Sequence, residues 1–285
     1  MKSFAVVFPG QGSQSVGMLA AFGDHPAVVA TLAEGSDALG EDLARLILEG
    51  PKDLLDLTTN TQPVMLAAGI ACYRAWLAEG GPEPTAVAGH SLGEYTALVA
   101  AGVLTLADAL PLVRFRAQAM QDAVPVGVGA MAAILGLEAA AVVEGCAQAS
   151  SLSGEVVAAA NFNDPKQTVI AGTRAGVDRA CELLKAAGAK RALPLAVSAP
   201  FHSPLMKPAA DRLRERLESV TLQAPRIPLV NNVDVRTEAD PATIRDALFR
   251  QAYCAVRWVE VVAALRDLGN RHIVECGPGK VLAGM

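Results

Sequence analysis

The chain has 285 residues, 52% of them hydrophobic, with a formal net charge of −5 and a mean hydropathy of +0.33. That length suffices for a full α/β core in one or two domains. No long Lys/Arg block occurs, which argues against nucleic acid as a partner. The apolar stretch Tyr95–Val113, with Asp108 as its single charge, is broken by Gly102 and Pro111 and so reads as helix, turn, helix rather than a membrane span.

In chain order, Ser3–Phe8 is an apolar, β-rich run, and PGQGSQ turns the chain after it. A strand at the very start, with no basic leader before it, argues against a signal peptide. Leu54–Leu57 and Pro63–Glu79 carry helical patterning, and Thr85–Gly89 is a short apolar strand. Leu92–Ala101 is helical up to Gly102, a suitable residue just past a helix end. The next helix starts near Thr105, with Asp108 three residues on in a capping position. Pro111 should kink this helix or move its start.

The texture then changes. Strands at Ala130–Leu135, Val156–Asn161, Gln167–Ala171 and Arg191–Val197 alternate with helices at Glu138–Gln148 and Val177–Ala187. That order, βαββαβ, is the ferredoxin-like pattern. A helix at 205–219, a strand at Pro228–Asn231, helices near Ala242–Arg250 and Val256–Leu268, and a strand at Ile273–Glu275 resume the larger part. The expected division is a large domain, 1–125 and 199–285, with 126–198 inserted as the small subdomain.

Five scattered cysteines without a C-x-x-C fit reduced thiols and a cytoplasmic protein. His272 and Cys276 have a spacing metals can use, but no second pair accompanies them, so no metal is expected.

The chemistry-bearing segment is GHSLGEY, 89–95. Ser91 stands where a strand hands over to a helix, in the frame G-x-S-x-G, as a nucleophile elbow requires. Gly89 and Gly93 permit close backbone approach, and the Leu92 amide opens the helix, ready to donate to an oxyanion. Its base must be one of four histidines. His90 is adjacent and, in an extended strand end, points to the other side; it can shape the pocket. His25 reads as a surface-loop residue. His272 begins a strand, whereas parallel sheets act at their carboxyl ends. His202, just past the strand 191–197, is favoured. The alternative is a hydrolase order, with His272 oriented by Asp240, Asp246 or Asp267. FPGQGSQ is not a dinucleotide fingerprint, because the third glycine of G-x-G-x-x-G would fall at Ser15.

GHSLGEY, FPGQGSQ (8–14), RFRAQAM (114–120), FHS (201–203), NNVD (231–234), RQ (250–251) and ECGPGKVLAG (275–284) occur in fixed order. NFNDPKQTVIAG and AGAKRALPLAVS accompany them in the small subdomain. Together they resemble the malonyl-CoA:acyl-carrier-protein transacylase family. The resemblance implies an α/β fold: a large α/β-hydrolase-like domain with a parallel sheet and an inserted ferredoxin-like subdomain. It implies transfer of malonyl from malonyl-CoA to the phosphopantetheine thiol of acyl carrier protein, for fatty-acid or polyketide synthesis, with no cofactor. It makes Ser91 the nucleophile, His202 the base, and the backbone amides of Gln11 and Leu92 the oxyanion hole. It orients His202 by a backbone carbonyl near Gln251 and gives Arg116 the malonyl carboxylate. Phe201 is the malonyl-type residue before the histidine. A free-standing, monomeric enzyme is expected, without membrane or nucleic-acid partners. The family pattern continues past GPGKVLAG with a helix that these 285 residues do not include. The Arg116 role has physical support, since Arg114 and Arg116 flank an apolar stripe on opposite sides and guanidinium grips a carboxylate bidentately. Carrier docking would need a local basic patch, for which Lys190, Arg191, Arg250, Arg257 and Lys280 are candidates.

Overall fold

The computed structural model describes residues 3–285. In chain order the regular elements are β1 (Phe4–Phe8), α1 (Pro26–Leu39), α2 (Leu43–Glu49), α3 (Lys52–Leu55), α4 (Thr58–Ala78), β2 (Ala86–Gly89), α5 (Leu92–Ala100) and α6 (Leu106–Asp122). They continue as β3 (Gly129–Leu135), α7 (Ala139–Ser153), β4 (Val157–Asp164), β5 (Gln167–Thr173), α8 (Arg174–Ala186) and β6 (Arg191–Pro194). The last are α9 (Lys207–Glu218), β7 (Leu229–Val230), α10 (Pro241–Gln251), α11 (Trp258–Asp267) and β8 (His272–Glu275). No described helix is long and apolar enough to cross a membrane.

The chain forms two compact units. The first runs to Gln118 and adds Arg216–Arg245 and Val261–Met285; the second is Ala119–Glu215 with Asp246–Glu260. The first contains a parallel sheet ordered β7-β2-β1-β8. Strands β1, β2 and β7 are short and largely buried, as strands covered on both faces are, whereas the edge strand β8 is partly exposed. Phe8 pairs with Gly89 across β1 and β2, so the loops that leave these two strands emerge side by side at their carboxyl ends. The long helix α4 and the helix α5 pack on this sheet, with Phe8 set edge-on to Tyr73 of α4 at 6.0 Å.

The second unit contains an antiparallel sheet ordered β4-β5-β3-β6, in the βαββαβ order expected from the sequence. Alternation along β3 divides its core. Ala132 and Ile134 join Val142, Cys146, Val177 and Leu184 under the two helices, whereas Met131 faces the opposite side with Ala160, Val169 and Ala171.

Several boundaries differ from the sequence reading, for physical reasons. Helix α4 begins at Thr58, five residues before Pro63, and α6 begins at Leu106 and runs through Pro111. Each proline forfeits one N–H near the start of its helix, and the surrounding burial outweighs that loss. The α6 start is as anticipated: Thr105 Oγ1 accepts from the Asp108 N–H at 3.1 Å and donates to the Asp108 carboxylate at 2.6 Å. Helices α1 and α2 lie in a stretch for which the sequence reading proposed no element. His25 is not simply a loop residue: its Nδ1 caps α1 by accepting from the Ala27 N–H at 3.2 Å, and its Nε2 lies 3.0 Å from Glu79. Strand β6 stops at Pro194, which has no N–H to extend the ladder.

Candidate active site

The turn after β2 is tied to its neighbours by backbone. The His90 N–H donates to the Phe8 carbonyl at 3.0 Å, and the His90 carbonyl accepts from the Gly93 N–H at 2.9 Å. A Cβ on Gly93 would lie 2.0 Å from the Phe8 carbonyl oxygen, so α5 can enter against β1 only with glycine there. Gly93→Ala is therefore expected to destabilise the protein by about 3 kcal/mol or more, at or above the upper end of ordinary overpacking. Thermal unfolding checks this, and a loss under about 1 kcal/mol would contradict the close approach.

At the head of α5, Ser91 adopts φ 53° and ψ −107°. A serine in that region is strained by roughly 1–3 kcal/mol, a cost found where surrounding structure enforces a functional turn. The turn lifts the hydroxyl off the strand direction and starts α5 at Leu92. The loop after β1 comes against it: a Cβ on Gly10 would be 2.6 Å from the His90 carbonyl oxygen. Gln11 follows directly, with its side chain donating to Thr58 Oγ1 at 3.2 Å. Among the described residues, neither the Gln11 nor the Leu92 backbone N–H donates to a protein acceptor. Two such amides on adjoining turns are what a developing oxyanion needs.

Arg116 of α6 is buried and reaches the same turn. Its Nη2 lies 3.3 Å from Ser91 Oγ, its Nη1 donates to Gln62 Oε1 at 2.8 Å, and its guanidinium sits 5.3 Å from the centre of the Tyr95 ring. Burial pulls its pKa down, against the opposing influence of Tyr95 and Glu94. Arginine starts high enough to stay charged at neutral pH. Arg114, two residues before, turns elsewhere and grips Glu41 with both terminal nitrogens at 2.8 and 2.7 Å. The two arginines thus lie in different surroundings, Arg116 buried and Arg114 bound to Glu41.

In the second unit, His202 is buried, and its Nδ1 lies 2.9 Å from the Gln251 carbonyl oxygen. A carbonyl only accepts, so Nδ1 carries the proton, and in the neutral ring the lone pair is then on Nε2. His202 also has a positive φ of 57°. Phe201 packs toward Met131, Ala160, Val169 and Ala171.

The alternative histidine fails on register. His272 pairs with Phe4 and Gly89 with Phe8, so His272 lies at the amino end of the parallel sheet. Four residues of strand separate that end from the serine turn, roughly 13 Å. Asp240 instead caps α10 through Thr243 at 2.8 Å, and Asp246 pairs with Arg250 at 2.6 Å. Burial holds the Cys72 thiol at about 11 and those of Cys146 and Cys276 at about 12, so none of these three is an activated thiolate. No group of His, Cys, Asp and Glu able to hold a metal occurs among the described residues.

The first unit thus brings together Ser91, Leu92, His90, Gln11 and Arg116, and the second brings together His202, Phe201 and Gln251. The sequence reading gave no role to Gln62, Tyr95 or Glu94, and none to Asn232 within NNVD. Glu94 and Asn232 are visible in hindsight as polar groups inside otherwise buried segments.

The acyl transferase domain model matches residues 5–284. The chain belongs to the acyl transferase domain family. Among its relatives, the malonyl CoA-acyl carrier protein transacylase of Salmonella typhimurium is 53% identical over 286 residues, covering all of this chain and 92% of that protein. The crystal structure of an acyl-carrier-protein S-malonyltransferase from Burkholderia pseudomallei superposes with a TM-score of 0.97 at 65% identity, over 100% of this chain and 92% of that one. A malonyl-transacylase solved in complex with its type II PKS acyl-carrier protein gives 0.97 at 50% identity, over 99% and 91%. For an acyltransferase, a serine turn with unused amides beside it is the expected equipment; the buried arginine beside the serine is the specialised part.

Proposed function

We propose that this acyltransferase moves a malonyl group from malonyl-CoA to the phosphopantetheine thiol of an acyl carrier protein, through a malonyl-Ser91 intermediate. The observation that carries the reading is the buried Arg116 guanidinium 3.3 Å from Ser91 Oγ. A malonyl thioester differs from an acetyl thioester by one carboxylate, and a desolvated guanidinium next to the nucleophile is suited to that group. Gripping the carboxylate also fixes the thioester carbonyl against the hydroxyl, which favours rate as well as affinity.

In the proposed cycle, His202 Nε2 takes the Ser91 proton as Oγ attacks the thioester carbonyl. The oxyanion rests on the amides of Gln11 and Leu92, and the CoA sulfur leaves with the proton from His202. The carrier thiol then enters, gives its proton to His202 and takes the malonyl group, and Ser91 regains its proton. The Gln251 carbonyl holds the His202 ring in the required tautomer, a role a carboxylate plays in many serine enzymes. His90 and Phe201 are assigned to pocket shape. The chemistry is proton and acyl transfer, which calls for no metal or redox cofactor. Five free cysteines suit a cytoplasmic setting.

The test is incubation with malonyl-CoA, with and without holo acyl carrier protein. Without carrier, CoA release should stop at about one equivalent per enzyme, and with carrier it should continue to exhaustion. Sustained CoA release without carrier would show a thioesterase and overturn the reading.

A further inference from the structure

The motif NNVD is unused by the reaction as drawn, yet it forms a built device. It follows β7, whose neighbour in the sheet is β2, the strand that delivers Ser91. Asn231 closes the loop: its Oδ1 accepts from the N–H groups of Asp234 at 2.7 Å and Val235 at 3.2 Å, and its own N–H donates to the Arg236 carbonyl. Val235 is held at φ 57°, an uncommon state for a β-branched residue. A loop that tolerates such a conformation is fixed by its surroundings.

What this loop presents is Asn232, fully buried. Its Oδ1 accepts from the Ser91 N–H at 2.8 Å, and its Nδ2 donates to the Gly89 carbonyl at 2.8 Å. Its backbone N–H donates to Glu94 Oε2 at 3.0 Å, on the first turn of α5. One side chain thus straddles the turn before and at the strained serine, and its parent residue is pinned to the helix that follows. The amide orientation is decided by the partners, since a flipped amide would set donor against donor and acceptor against acceptor.

We infer that Asn232 is the positioning residue of the nucleophile turn, holding Ser91 in its strained conformation so that Oγ and the Leu92 N–H aim at one point. Its hydrogen bonds among the described residues go to the turn and to Glu94, so it sets the rate of serine acylation and not the affinity for the acyl donor. A misplacement of about 1 Å at a reacting atom costs on the order of 100-fold in rate.

This rests on Ser91 being the nucleophile, and the experiment separates the two. Rapid mixing of wild type and Asn232→Ala with malonyl-CoA yields a burst amplitude, which counts competent sites, and a burst rate constant at each concentration. Peptide mapping locates the adduct. The expected result is a wild-type adduct on Ser91, with the variant's acylation rate constant down about 100-fold and its half-saturating malonyl-CoA within about threefold. A variant that loses amplitude while its per-site rate stays within about threefold of wild type has only a folding defect, and that overturns the inference. A loss confined to half-saturation overturns it too. A wild-type adduct away from Ser91 sinks the nucleophile assignment itself. Should the alanine variant not accumulate as folded protein, Asn232→Ser, whose hydroxyl is too short to bridge both partners, takes the same measurements with the same expected outcomes.

Discussion

Ser91→Ala is expected to abolish the malonyl-enzyme and to lower carrier malonylation by about 10⁴-fold or more. The variant loses the only group proposed to form a bond to the acyl carbon. The turn itself should survive, because the ties that hold it do not use the serine side chain: Ser91 N–H to Asn232 Oδ1, His90 N–H to the Phe8 carbonyl and Gly93 N–H to the His90 carbonyl. Loss of the hydroxyl, which lies 3.3 Å from Arg116 Nη2, should cost no more than about 1.5 kcal/mol of stability, the worth of a hydrogen bond. Loss of activity with the fold intact is the signature of a nucleophile. A variant that still turns over malonyl-CoA at a tenth of the parental rate would remove Ser91 from the chemistry.

Arg116→Ala is expected to separate malonyl from acetyl substrates. Removing one partner of a buried, hydrogen-bonded charge pair costs about 2–5 kcal/mol, so kcat/KM for malonyl-CoA should fall roughly 30- to 4,000-fold. Acetyl-CoA has no carboxylate to lose, and its slow transfer should change by less than about tenfold. The guanidinium is already committed to Gln62 and stacked near Tyr95, so it is held in place before substrate arrives. Pre-organisation of that kind is where the predicted rate effect originates. Equal losses with both substrates, measured by steady-state kinetics, would show that Arg116 supports the fold and not the carboxylate.

Much of this architecture is legible in the sequence because its signals are local. The serine turn follows from a short apolar strand, two glycines and an immediate helix. The βαββαβ order follows from alternating periods, and the α6 cap from Thr105 and Asp108. Signals that depend on distant packing are not legible in this way. Pro63 and Pro111 suggested helix boundaries, yet burial carried both helices past them. The α1 helix has a proline at its first position and a glycine at its end, but no charged stripe to mark its outer face. Residue spacing left His272 open as a base, and only the strand register placed it at the wrong end of the sheet. Gln62 and Asn232 meet Arg116 and Ser91 across 54 and 141 residues of chain, beyond the reach of any local pattern.

The most direct test of a malonyl-Ser91 intermediate is to label the enzyme with malonyl-CoA, map the adduct by peptide mass spectrometry, and then add holo acyl carrier protein. The prediction is a malonyl ester on the peptide that contains GHSLGEY, stable until the carrier is added and then recovered on the carrier thiol. A label on another residue, or one lost to water with no carrier present, would contradict it.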